Sequence, residues 1–268
     1  MIQRALTSLI SLHRLAVVLA VAVLTPLIIG CSGFPGRADE SLLVFAASDL
    51  QPVLPEIAEA YQAATGHSVL LVFGSSGNLA RQIEHGAPAD LYLAASEQFV
   101  DALIAGGIVD AGSRTVYAIG WVALISASGV QPPRGLEELR DTRFTTLAIA
   151  NPEHAPYGMA AREALTTSGL WAELSPRMVF TDNVAQAYHV VRSGSAEAGM
   201  VALSLAIASG ESEPIVVDGS LHQPLRQTGG IVLRSERAAV ARDFLSYLRG
   251  PTGQQALARF GFGAPEEE

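Results

Sequence analysis

The sequence contains no lysine: all 17 of its basic residues are arginine, set against 26 Asp and Glu. It has a single cysteine, Cys31, and only 16% of its 268 residues are charged. One cysteine excludes a disulfide framework and any cysteine-built zinc site. Low charge combined with 49% hydrophobic residues excludes a disordered chain. A net charge of −9 argues against a nucleic-acid partner, because it repels a phosphate backbone unless a basic patch is segregated. Without lysine there is no Walker A loop. The histidines, His13, His67, His85, His154, His189 and His222, never fall at the i,i+4 spacing a zinc site favours, so no metal is expected. The length allows one large domain or two smaller ones, each able to bury a core.

Acidic residues are absent from residues 1–30. There Arg4 and Arg14 precede the apolar run Leu15–Ile29, closed by Gly30 and Cys31. A positive stretch, a short apolar run and a small-residue end describe a secretory signal. The run is shorter than the roughly twenty residues of a spanning helix. Its end, L-I-I-G-C, resembles the lipobox of bacterial lipoproteins, which implies lipid attachment at Cys31. An ordinary signal with a chance cysteine, or an uncleaved anchor, are the alternatives. Loss of residues 1–30 removes two arginines and no acid, taking the net charge from −9 to −11. Residues 31–41, polar and Gly/Pro-containing, read as a tether.

From Leu42 onward strands and helices alternate. Leu42–Ala46, Ser68–Phe73 and Asp90–Ala94 read as strands, with helices over Pro52–Ala64, Leu79–Glu84 and Ser96–Ala105. This spacing implies βαβ units on a parallel sheet. Tyr117–Ile125 reads as one long strand. Further strands are expected at Thr146–Ile149, Ala198–Val201, Ile215–Val217 and Gly230–Leu233. Helices are expected at Leu136–Leu139, Ala160–Ser168, Val184–Ser193, Leu205–Ser209, Ala238–Leu248 and Gly253–Arg259. The class is α/β with no long linker, so two lobes would have to interweave.

In open α/β sheets ligands bind beyond the carboxyl ends of strands, at helix N-termini. Two loops have suitable chemistry. In A-A-S-D-L-Q-P, Ser48 or Asp49 is placed to cap the next helix, leaving backbone N–H groups free. In F-G-S-S-G-N-L, Gly74 and Gly77 permit close backbone approach, while Ser75 and Ser76 offer hydroxyl donors.

Taken together, V-F-A-A-S-D-L, F-G-S-S-G-N-L-A-R-Q-I-E-H-G-A-P-A-D-L-Y, N-P-E-H-A-P-Y-G and the closing Y-L-R-G-P…F-G-F resemble the periplasmic molybdate-binding proteins of molybdate ABC transporters. The resemblance runs from Leu42 to Phe262. It implies a two-lobed periplasmic-binding-protein fold of type II, with two mixed or parallel sheets flanked by helices. Residues 42–118 with 229–268 would form one lobe and 119–228 the other, crossing near Tyr117–Val122 and Thr228–Ile231. It further implies extracytoplasmic capture of molybdate or tungstate by a monomer, delivery to a membrane permease, no cofactor and no covalent chemistry. By the same resemblance Ser48 and Ser76 donate from side chain and backbone, Asp49 from its backbone, and Val184 from its N–H at a helix start. The family takes a tyrosine donor from one of two segments. This chain has Ala202 in the first and Tyr157 in the second, which leaves Tyr157.

A fully deprotonated tetrahedral dianion needs only donors, and charge-assisted bonds make neutral donors sufficient. Phosphate retains a proton and wants an acceptor, which the Asp49 carboxylate supplies if it faces the cleft but not if it caps the helix. Sulfate or another tetrahedral oxyanion is the nearest alternative ligand. A secreted serine hydrolase using Ser75 or Ser76 is the enzymatic alternative. The G-x-S-x-G elbow is absent, and the sequence pairs no histidine and acid with either serine.

Overall fold

The computed structural model describes residues 41–210 and 214–265, and Ser41–Glu268 forms a compact unit of its own. Cys31, the signal and nearly all of the tether lie outside the described residues.

The first sheet has the order β2-β1-β3-β10-β4. Its strands are β1 (Leu42–Ala47), β2 (Val69–Gly74), β3 (Leu91–Ala94), β4 (Thr115–Gly120) and β10 (Leu225–Ile231). β1 runs parallel to β2 and β3, while β10 is antiparallel to β3 and β4. The second sheet holds β5 (Val122–Ser126), β6 (Leu147–Ala150), β7 (Met178–Thr181), β8 (Ala198–Ala202) and β9 (Ile215–Val216), in the order β7-β6-β8-β5-β9. Here β6 is parallel to β7 and β8, and β5 is antiparallel to β8 and β9. The result is a two-lobed, type II binding-protein architecture with two mixed sheets, more antiparallel than strand–helix alternation alone implies.

Period-two alternation divides β1 between two cores. Leu42, Val44 and Ala46 join Tyr61, Phe244 and Leu248 on one face, whereas Phe45 meets Leu79, Ile83 and Tyr92 on the other. Tyr61 and Phe244 meet edge-on at 5.0 Å, tying α1 (Leu54–Thr65) to α8 (Ala238–Arg249). The second lobe buries a separate cluster that includes Phe144, Leu147, Ile149, Leu165 and Val201.

Three expectations need correction. Tyr117–Ile125 is two strands in different sheets, β4 and β5, joined by Trp121 alone. Both halves are buried, so their apolar runs merge into one in the sequence. β7 was not expected: Val179 and Phe180 are exposed on an edge strand, so the segment has no buried pattern. β10 begins at Leu225, because Arg226, Gln227 and Thr228 disguise its first half as polar.

Helix starts are placed by the strands that precede them. α2 (Ser76–Glu84) begins two residues after β2 ends, and α6 (Val184–Arg192) three residues after β7. α4 (Pro156–Thr167) follows β6, with proline at its first position, where no N–H is needed. Its third residue, Gly158, lies so close to β6 that a Cβ would overlap the Ala150 carbonyl. Gly158→Ala is therefore expected to destabilise by at least about 1–3 kcal/mol, the usual cost of overpacking. The check is a lower midpoint in urea with an unchanged slope; a midpoint equal to the parent's contradicts this packing.

Candidate functional site

Parallel strands ending side by side bring several element starts to one point. Ser48 and Asp49 lie in the 3-10 turn Ser48–Leu50 directly after β1, and Ser75 and Ser76 directly after β2. Ala95 follows β3, Tyr157 opens α4 and Val184 opens α6. All of them line one small, nearly filled cavity. Its space is far below the roughly 300–1,000 Å³ of sites for drug-sized ligands, so in this arrangement it excludes any occupant of that size. The five residues singled out from the sequence, Ser48, Asp49, Ser76, Tyr157 and Val184, thus share one wall-to-wall space.

Both serine hydroxyls are oriented by the backbone. Ser76 Oγ accepts the Ala95 N–H at 3.0 Å, and Ser48 Oγ accepts the Ala185 N–H at 3.4 Å. A hydroxyl that accepts from the protein keeps its own proton for another partner. Ser76 is further fixed by the Tyr92 hydroxyl, which donates to its carbonyl at 2.7 Å. Asn183 caps α6 by accepting the Gln186 N–H at 3.1 Å. The Val184 N–H, at the first helical position, belongs to the donors a helix cannot satisfy internally. The starts of α2, α4 and α6 all face the cavity, so their partial positive ends add there.

Asp49 does not cap a helix, contrary to one sequence alternative. Its Oδ2 accepts from the Tyr157 hydroxyl at 3.0 Å and from Gln227 Nε2 at 2.8 Å, while Oδ1 has no partner. Burial pushes its carboxyl up from 3.8 to about 6, against the downward pull of the Tyr157 bond, its own N–H, Gln227 and the Leu50 N–H. Tyr157 titrates well above the ordinary tyrosine range, first through burial and then through the neighbouring Asp49 charge. Tyr157 therefore spends its proton on Asp49 in this arrangement. At Gly120 a Cβ would overlap both the Tyr157 hydroxyl and Gln227 Nε2, so the lack of a side chain there makes room for the cluster.

Two participants were missed. Gln227 is fully buried in β10; its signal was a glutamine inside a segment bounded by leucine and isoleucine. His154 Nδ1 lies 3.0 Å from Ser75 Oγ, and the His154 carbonyl accepts the Gly77 N–H at 2.9 Å. The sequence paired no histidine with either serine, and the fold supplies one. Among the described residues no acid sits on the other nitrogen of that ring. Asn78 Nδ2 donates to Asp182 Oδ1 at 2.5 Å, a further bond between the two halves.

The chain matches the bacterial extracellular solute-binding proteins over residues 42–263. It belongs to that family. It is 34% identical to the molybdate-binding protein ModA of Azotobacter vinelandii, over 94% of this chain and 98% of that protein. Identity to the ModA of Rhodobacter capsulatus is 30%, over 85% of this chain and 90% of the relative. The solved periplasmic molybdate-binding protein of Azotobacter vinelandii superposes with a TM-score of 0.79 at 31% identity, covering 84% of this chain and all of that one. As a solute-binding protein the chain is not an enzyme, and what it holds is cargo rather than a cofactor.

The raised Asp49 carboxyl has a defined effect on folding. The folded state holds a proton that the unfolded state has released between about pH 4 and 6, so stability falls as pH rises through that window. Asp49→Asn is expected to remove this fall, worth up to roughly 3 kcal/mol at about 1.4 kcal/mol per pKa unit. Urea midpoints at pH 4.5 and 7 for parent and variant test it. Parallel pH dependences in the two proteins contradict the assignment.

Proposed function

We propose that this chain captures molybdate outside the cytoplasm and delivers it to the membrane permease of an ABC transporter. The observation that carries the reading is the convergence of three helix starts and two proton-bearing serine hydroxyls on one small, buried cavity. A tetrahedral dianion asks for that set: many neutral donors, oriented before it arrives, without a cation to bind competing anions indiscriminately. The names of these molybdate-binding relatives support molybdate as the ion.

In this reading the Ser48 and Ser76 hydroxyls donate to the ligand's oxygens, joined by the N–H groups of Asp49, Ser76 and Val184. Tyr157 serves as a donor if its hydroxyl turns from Asp49, and otherwise shapes the wall. Tungstate, with the same charge and nearly the same shape, is held equally. The protein acts as a monomer held at the membrane by lipid on Cys31. Each lobe is built on one of the two sheets, with boundaries near the expected 42–118 with 229–268 and 119–228 but set by where β4 and β10 end and begin. The pairing of β10 from Leu225 onward supports a return crossing at its lower edge, ahead of that residue.

Thermal unfolding with molybdate, tungstate, sulfate and phosphate in turn tests the reading. A ligand at 100 times its dissociation constant adds about 2.7 kcal/mol, enough to raise the melting temperature by several degrees. Molybdate and tungstate are expected to do so, and a rise with sulfate alone overturns the proposal. Ser48→Ala and Ser76→Ala should each weaken molybdate binding by about 1.5–3 kcal/mol, the value of a hydrogen bond to a charged group. Undiminished affinity in both variants places the ligand elsewhere.

A further inference from the structure

A pocket of neutral donors built for an anion contains one acid. Asp49 lines the cavity beside Ser48 and is fully buried, with Oδ2 engaged by Tyr157 and Gln227 and Oδ1 unpartnered. Among the described residues no cationic side chain lines the cavity or hydrogen-bonds to Asp49. α4 contributes Tyr157, β10 contributes Gln227, and β4 contributes Tyr117, whose hydroxyl lies 3.3 Å from Gln227 Oε1. The helix Leu203–Ala208 contributes Ser204, which donates to the Asp49 carbonyl at 2.7 Å, and α6 contributes uncharged Val184 and Ala185. Both tyrosines stay neutral, since burial pushes their hydroxyls well above the ordinary range. Further titratable neighbours among the described residues are His154, which sits against Ser75, and Tyr92, whose hydroxyl donates to the Ser76 carbonyl.

A dianion placed beside an ionised carboxylate, with no positive side chain between them, is repelled across a poorly screening interior. The cavity cannot hold both charges without cost, and the orphan oxygen is where a proton fits. Resting on the reading of this cavity as the molybdate site, we propose that binding takes up one proton from solvent, and that Asp49 Oδ1 carries it in the complex. No bond of the ligand breaks: dianion, ionised protein and one proton become one complex, with every contact made to ligand oxygens. The neutral carboxyl then becomes a donor in a site that wants donors, while Oδ2 keeps Tyr157 and Gln227. Independently of ligand, burial already lifts this carboxyl to about 6, so little further change is needed near neutral pH.

The sign of the pH dependence follows. Above about pH 6 the free protein has lost the proton that the complex holds, so affinity falls, approaching tenfold per pH unit. Below that it levels off. Monohydrogen phosphate behaves otherwise, because it brings its own proton and finds an acceptor in ionised Asp49.

Calorimetric titration of the full-length protein with sodium molybdate decides the matter, run from pH 6 to 9 in buffers of differing ionisation heat. Near pH 8 the buffer dependence should report close to one proton taken up per molybdate, and the dissociation constant should rise about 100-fold from pH 6.5 to 8.5. Asp49→Asn should bind with no proton uptake and a flat pH profile, and more tightly than the parent at pH 8.5. Should that variant fail to fold, the parent's buffer dependence decides alone. Tight molybdate binding by the parent without proton uptake overturns the inference and leaves the site reading intact. No molybdate binding at any pH removes both. A slope that survives in Asp49→Asn assigns the proton to another group, His154 first, and overturns the inference, as does phosphate binding more tightly than molybdate without proton exchange.

Discussion

Three helices and a 3-10 turn begin at one cavity because parallel strands in two sheets end there, and the rest of the molecule keeps those starts in place. The separate cores under the two sheets fix the direction of β1, β2, β6 and β7, and thereby aim the first turns that follow. Each start leaves N–H groups that the helix cannot satisfy, and each carries a partial positive charge. Converging them creates a demand for negative charge that no side chain in the wall meets, apart from Asp49. That single constraint accounts for the small cavity, for the orientation of Ser48 and Ser76, and for the close backbone approach that the site needs.

The same geometry reconciles an acidic protein with an anionic cargo. A net charge of −9, or −11 without the first thirty residues, acts from the surface and is screened over about 8–10 Å. The donors act at contact distance in a space largely closed to water. The absence of lysine is consistent with a site that uses dipoles throughout, since the wall carries no cationic side chain. Bonds that join the two halves, from Ser75 to His154, Gly77 to His154 and Asn78 to Asp182, hold the cavity shut in this arrangement.

Much of this was legible in the sequence, for a physical reason. The strands from Leu42 to Ala94, buried β1 and β3 and the half-exposed edge strand β2, all read as short apolar runs between helical periods, and the serine-rich loops after β1 and β2 stand out against them. What was hidden depends on tertiary context. β4 and β5 fused into one apparent strand because burial is continuous across Trp121, although the chain changes sheet there. Gln227 and His154 matter because β10 and the loop ahead of α4 bring them to residues 178 and 79 positions away. The Asp49 carboxylate was the open question in the sequence, capping or cleft, and the fold excludes the cap: Asp49 lies in the cavity wall, where Tyr157 and Gln227 share one of its oxygens.

The central claim is that these element starts form the binding site. A crystal structure of the protein grown with molybdate, with the metal located by its anomalous scattering, tests it most directly. The account predicts one molybdenum centre in the cavity, its oxygens within hydrogen-bond distance of Ser48 Oγ, Ser76 Oγ and the Val184 N–H. Molybdenum found instead in the open groove lined by Asn78, Arg81, Asp182 and Gln186 would contradict it.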